Sequence, residues 1–206
     1  MSRFFRQSCC AVLSGLMLLT GCNGSGEPRE FPTASIREGD LAFRCGRGVF
    51  SRAVTLSEEE GVYSHVGVVV QEQGKWKVVH SVPGEQESEE DFDRVKTEDL
   101  EVFFSPRRAC RGALVHTGLT EPSAVGLLRQ EALRMAADSV RFDHSYCLED
   151  SSEVYCTEFV WLLYKRLGID LSEGRRRHVH LFNINDDVIL PEHLLHYSEH
   201  STYYTF

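Results

Sequence analysis

No part of this 206-residue chain is strongly basic: 22 Lys and Arg stand against 31 Asp and Glu, a formal net charge of -9. A protein that neutralises phosphates along a duplex needs the opposite balance, so nucleic acid is not an expected partner. Long hydrophobic runs are missing too. Ala11 to Leu19 (AVLSGLMLL) is apolar but short, and a helix needs about 20 such residues to cross a hydrocarbon core. There is no internal repeat, no βαβ alternation and no sign of a second domain. What remains is 42% hydrophobic and 26% charged, enough to bury a core and unlike a disordered chain. The length suits one ordinary domain.

The first residues read as an address. Arg3 and Arg6 precede the short apolar run, and small residues follow it, the pattern of a secretory signal peptide. The junction Leu19-Thr20-Gly21-Cys22 resembles a bacterial lipobox, in which the last residue is acylated and becomes the first of the mature chain. The plainer alternative is a secreted protein cut near Gly21. The expected division is a signal peptide over 1–21, a flexible tether over 22–35, rich in Gly, Ser and Pro, and a single domain over 36–206. Removing 1–21 takes Arg3 and Arg6 and no acid, leaving 20 bases against 31 acids and a charge of -11. Such a surface does not cling to anionic headgroups, so membrane attachment would come from lipid on Cys22. The expected location is the bacterial cell envelope, facing the periplasm or the outer surface. Cys45, Cys110, Cys147 and Cys156 stay with the mature domain, in a compartment expected to be oxidising, and one thiol could be reserved for chemistry. A Cys45–Cys110 disulfide is the structural guess.

Strand patterns come first. Leu41-Ala42-Phe43 ends at a Gly-rich stretch, Val62 to Val70 and Lys75 to Val82 flank the turn pair Gln73-Gly74, and Glu101 to Phe104 and Gly112 to Val115 are further strand candidates. The acidic run Glu85 to Asp93 reads as a solvated loop, with a calcium site as the alternative. Helical spacing then takes over: Val125, Leu128, Ala132 and Met135 follow a proline-containing start at Thr120 to Ser123. A second helix is predicted from about Ser152 to Leu167, closed by Gly168. Strands followed by helices argue for one α+β domain.

Chemistry enters with two histidines and a cysteine. If the hairpin turns at Gln73-Gly74, Val69 faces Val78, Gly67 faces His80, and His65 faces Val82. His65, Gly67 and His80 then share one sheet face. The two imidazoles are diagonal neighbours, about 7–8 Å apart at the backbone, and Gly67 leaves room between them. A one-residue change in the turn would put them on opposite faces. Cys156, Val160, Leu163 and Leu167 share one apolar helix face, which fits a merely packed cysteine. Cys156 also lies near the helix start, where unpaired amides and the dipole favour an anion. With an imidazolium nearby, such a site lowers a thiol pKa from about 8.5 to roughly 3.5–7.5.

Gly39-Asp40-Leu41, Tyr63-Ser64-His65-Val66-Gly67 and Tyr155-Cys156-Thr157-Glu158-Phe159-Val160, in that order, resemble the permuted papain-like amidases, the YiiX and YaeF-type branch of the NlpC superfamily. The resemblance spans roughly Ile36 to Leu167. It implies a papain-like fold of circularly permuted topology, with a small antiparallel barrel-like sheet packed against helices. It implies Cys156 as nucleophile, His65 as general base and His80 as a third, orienting residue in a slot where relatives often hold Glu. Asp40, Tyr63 and Tyr155 belong to the same motifs as supporting or substrate-lining residues. Neither cofactor nor metal is implied.

The resulting expectation is a cysteine-dependent hydrolase or amidase of the envelope. Its substrate would be a peptide, a peptidoglycan fragment or a lipid-like acyl compound, cleaved through a thioacyl enzyme. Two rivals remain. One is a metal site in the tail, using His178, His180, His193, His196 and His200. The other is an envelope lipoprotein that binds lipid or peptide without cleaving it. Phe50, Phe103 and Phe104 are candidates for an apolar groove, or for core.

Overall fold

A computed structural model describes residues 29–206 apart from 48–50, 52–53, 57, 60, 87, 149–151, 182–183 and 198. The expected signal peptide, the first half of the tether including Cys22, and Phe50 lie outside the described residues.

Alternating apolar and β-branched residues build strands β1 (Leu41–Gly46), β2 (His65–Glu72), β3 (Lys75–Val82), β4 (Arg94–Asp99), β5 (Ala109–His116) and β8 (Ser201–Thr205). They form an antiparallel sheet in the order β4-β3-β2-β1-β5-β8, while β6 (Arg177–Leu181) and β7 (Ile184–Val188) make a separate ribbon. Four helices are used below: α1 (Leu100–Phe103), α2 (Pro122–Ala137), α3 (Cys156–Lys165) and α4 (Pro191–Leu195). The β2–β3 register is the expected one, with Val69 opposite Val78. Its turn holds Gln73 and Gly74 at φ 50° and 78°, the left-handed pair that matches strand twist.

The central sheet is covered on both faces, so β2 reads as buried along most of its length instead of alternating. On one face Val66, Val68 and Val79 pack with Phe159, Val160 and Leu163 of α3 and with Leu128 and Ala132 of α2. On the other, Val69 and Val78 pack with Leu100, Phe103 and Phe104. This second core is where the two histidines point. Phe103 and Phe104 are therefore core, not groove.

Several expected elements differ. Residues 101–104, read as a strand, form the single turn α1. A strand would send Phe103 and Phe104 to opposite faces, whereas here both are fully buried in the same core. The second long helix starts at Cys156, not Ser152, because Val154 N–H is taken by Arg141 C=O at 3.0 Å and Tyr155 stays extended as the N-cap. The strands-then-helices order is incomplete: β8 returns beside β5. Packing also begins before Ile36. Arg29 lies 3.6 Å over the Phe206 ring, and Phe31 stacks on Phe104 at 5.6 Å.

Candidate active site

Cys156 occupies the first position of α3. Its predecessor Tyr155 is extended, and the Glu158 carboxylate accepts the Tyr155 N–H at 3.3 Å, closing the helix start. Cys156 is half-buried. The amides of Val66 and Thr157 lie near its sulfur, beside the start of β2, and favour the thiolate.

His65 is the first residue of β2. Its Nε2 lies 2.8 Å from His80 Nδ1, and the rings meet edge to face. The diagonal pairing expected from the hairpin is thus realised. Gly67 provides the space: a Cβ there would lie 2.5 Å from Val78 Cγ1 and 2.9 Å from His80 Cβ. Phe103 closes the pair from α1, with ring centroids 5.8 Å from His65 and 5.1 Å from His80.

Alternation along β2 sends His65 and Val66 to opposite faces, yet Cys156 and His65 both line one cavity of about 570 Å³. They reach it around the end of the strand. Among the described residues no hydrogen bond joins thiol and imidazole in this geometry; such contacts in ligand-free sites often tighten only when substrate binds. The tautomers follow from the bonds that do exist. For His65 to keep Nδ1 unprotonated toward the cavity, its Nε2–H must donate to His80 Nδ1. The remaining proton of His80 then sits on Nε2, which is 3.3 Å from Glu98 Oε2. That last contact is electrostatic, because its alignment leaves both atoms without a formal hydrogen bond. Glu98 is itself held by Arg108 at 3.1 Å and Lys96 at 3.6 Å.

Glu98 was invisible in the sequence. Arg94 to Asp99 (RVKTED) is polar, and only its pairing beside β3 brings the carboxylate to His80. A second missed residue is Tyr146, which lines the cavity and adopts φ 57°, a strained setting for a bulky side chain. Burial and the nearby Cys156 sulfur raise its phenol pKa.

Burial dominates the electrostatics. It pushes the Cys156 thiol up to about 11, against the amide contacts that favour thiolate. The depressed pKa expected at a helix start is therefore not found. A helix terminus contributes about 0.3–2 kcal/mol, and desolvation among the apolar cavity walls outweighs it here, each pKa unit being about 1.4 kcal/mol. Burial also holds His65 and His80 well below their usual 6.5, helped by the Arg44 and Lys96 charges. At neutral pH the resting site is a thiol and two neutral imidazoles, not an ion pair.

The other expected site residues separate. Tyr155 lines the cavity, and its OH accepts the Ile189 N–H at 3.0 Å. Thr157 Oγ1 donates to Ile189 C=O at 2.6 Å, so these two residues pin the 188–191 wall to α3. Tyr63 is absent from the cavity lining and packs on Phe43 at 5.7 Å. Asp40 is also off the cavity; it accepts from Tyr203 OH at 2.8 Å and contacts His116 Nδ1 at 2.9 Å. Neither side chain lines the cavity that holds Cys156 and His65.

The thiols of Cys45 and Cys110 are free but adjacent across β1 and β5, with Cys110 Sγ 3.3 Å from Cys45 C=O. In the tail, His178 pairs with Asp187 at 2.8 Å, and His193 Nδ1 accepts the N–H of Leu190, the N-cap of α4, at 3.1 Å. The stretch through His200 is not one helix, since α4 ends at Leu195. Among the described residues no group of three or more His, Cys, Asp or Glu is gathered to hold a metal ion. The acidic run makes ion pairs instead: Glu85 with Arg44 and Arg108, and Asp91 with Arg94.

Residues 35–199 match the family described as permuted papain-like amidase enzyme, YaeF/YiiX, C92 family. A solved structure, that of the metalloprotein yiiX from Escherichia coli O157:H7, superposes with a TM-score of 0.67 at 19% identity, covering 82% of this chain and 97% of that one. No curated protein matches the chain.

Proposed function

The chain belongs to the permuted papain-like amidase enzymes, and from that premise we propose that it is a cysteine-dependent hydrolase with Cys156 as nucleophile and His65 as general base. One observation supports this reading above the others. Cys156 and His65 line the same cavity while His65 Nε2 is bonded to His80 Nδ1 at 2.8 Å, leaving Nδ1 for the thiol.

The chemistry follows from the resting protonation. As Cys156 Sγ attacks the acyl carbonyl, His65 Nδ1 takes its proton, so the thiolate forms only when a carbonyl is present to receive it. His80 and, behind it, Glu98 stabilise the imidazolium that results. The Cys156 amide, at the open end of α3, donates to the developing oxyanion. His65 then protonates the leaving amine as the C–N bond breaks. Water, deprotonated by the same His65, cleaves the thioester and returns the thiol. The E. coli protein is named a metalloprotein, but the donor sets among the described residues of this chain do not fit a metal ion, and the steps use none.

The location is part of the proposal. The Leu19-Thr20-Gly21-Cys22 junction supports a lipid-anchored envelope protein; among the described residues no helix is long and apolar enough to cross a membrane. Cys22→Ser should release the protein from the membrane fraction. Retention there would argue against acylation.

The catalytic test uses short cell-wall peptide amides and N-acyl amino acids, with acid-quenched intact mass reading the acyl enzyme. Cys156→Ala should abolish both adduct and turnover without changing the thermal melt, and His65→Ala should do nearly the same. Full turnover by Cys156→Ala would end the hypothesis.

A further inference from the structure

The cavity has two unlike walls. This chain is acidic overall, with 31 acids against 22 bases. Yet among the described residues its cavity is lined by Arg44, Arg47, Arg107 and Arg108 and by a single carboxylate, Glu85. Glu85 is already engaged: its carboxylate meets Arg44 at 2.6 Å and also Arg108. Arg44 is 2% exposed and fixed further by Phe103 C=O at 3.0 Å. These two guanidiniums are scaffolding.

Arg47 and Arg107 differ. Both are exposed on the cavity rim, and neither meets a carboxylate among the described residues. They arrive from separate parts of the chain, Arg47 after β1 and Arg107 in the turn before β5, and converge on one opening. The four positive charges share two carboxylates, Glu85 and, on Arg108, Glu98, and the remaining repulsion is what an incoming anion would relieve. Across from them, Phe142, Tyr146, Val188 and Leu190 belong to an apolar cluster and line the same cavity.

Resting on the Cys156–His65 reading, we propose that the arginine wall is a subsite for an anionic group of the substrate, a carboxylate or a phosphate. The substrate is thus an acyl amide with a negatively charged end on Arg47 and Arg107 and an apolar portion along the opposite wall. A guanidinium suits either anion, because its planar fork donates two parallel hydrogen bonds to paired oxygens.

The experiment is calorimetric titration of the full chain carrying Cys156→Ala, so that binding is read without turnover. The probes are N-octanoylglycine, its neutral methyl ester, and octyl phosphate. At least one anion should bind about tenfold or more tightly than the ester, the loss typical of a missing charge-assisted contact. The tighter of the two identifies carboxylate or phosphate as the source of the charge. Arg47→Gln with Arg107→Gln should reduce the preference to within about twofold, leave ester binding and the thermal melt unchanged, and remove most of the salt dependence. Equal binding of anions and ester, a preference that survives the double substitution, or no binding of any probe would overturn the proposal. Failure of the catalytic reading would show separately, as turnover that survives Cys156→Ala.

Discussion

Alkylation of Cys156 by iodoacetamide, followed across pH and assigned by peptide mapping, decides whether burial outweighs the helix terminus. With the thiol pushed up to about 11 instead of about 8.5, the thiolate fraction near pH 7 drops from about 3% to about 0.01%, roughly 300-fold. The more basic thiolate is also more nucleophilic; a Brønsted slope of about 0.4–0.5 returns roughly tenfold of that loss. Cys156 should therefore react about 25-fold more slowly than a cysteine peptide near pH 7. Its rate should climb about tenfold per pH unit to about pH 10, where the peptide has already levelled off. His65→Ala should keep that slope, because a neutral imidazole supplies no charge to the resting thiol. A plateau below about pH 8, lost in His65→Ala, would mean that an ion pair forms at rest and that the electrostatic argument is wrong.

Other expectations use the same geometry. Glu98→Gln should lower kcat about tenfold with little change in KM and shift the acid limb of the kcat profile, since it stabilises the imidazolium through His80; an unchanged kcat and pH profile would remove it from the relay. His65 and His80 are buried and held below 6.5, so they contribute stability that is present above about pH 6.5 and lost as pH falls toward their folded values. The unfolded chain takes up two protons first, giving a slope of about 2.7 kcal/mol per pH unit well below 6.5. Urea midpoints should follow it, and His80→Asn should flatten about half of the slope; identical curves for the two proteins would contradict the assignment. Gly67→Ala should cost about 1–3 kcal/mol by overpacking, because the nearest obstacles include Val79 C=O at 2.8 Å as well as side chains. An unaltered melting temperature would show that β2 and β3 can part without penalty.

What could be read from the sequence was local or set by parity. The Gln73-Gly74 turn fixed which residues of β2 and β3 oppose one another, and period-two alternation then placed His65 and His80 on one face. The apolar spacing of α2 and α3 was equally legible, since Leu128, Ala132, Val160 and Leu163 all entered the core. The motif order around His65 and Cys156 pointed to the family that residues 35–199 match. Tertiary structure decided what depends on distant neighbours. Glu98 reaches His80 only because β4 pairs with β3, and Phe103 lies under both imidazoles only because the chain turns into α1 after Asp99. The four arginines likewise meet only where the end of β1 and the turn before β5 converge on one cavity. Even the protonation of Cys156 belongs to this second class. Helix position is written in the sequence and favours thiolate, whereas burial is created by the surrounding fold and opposes it more strongly.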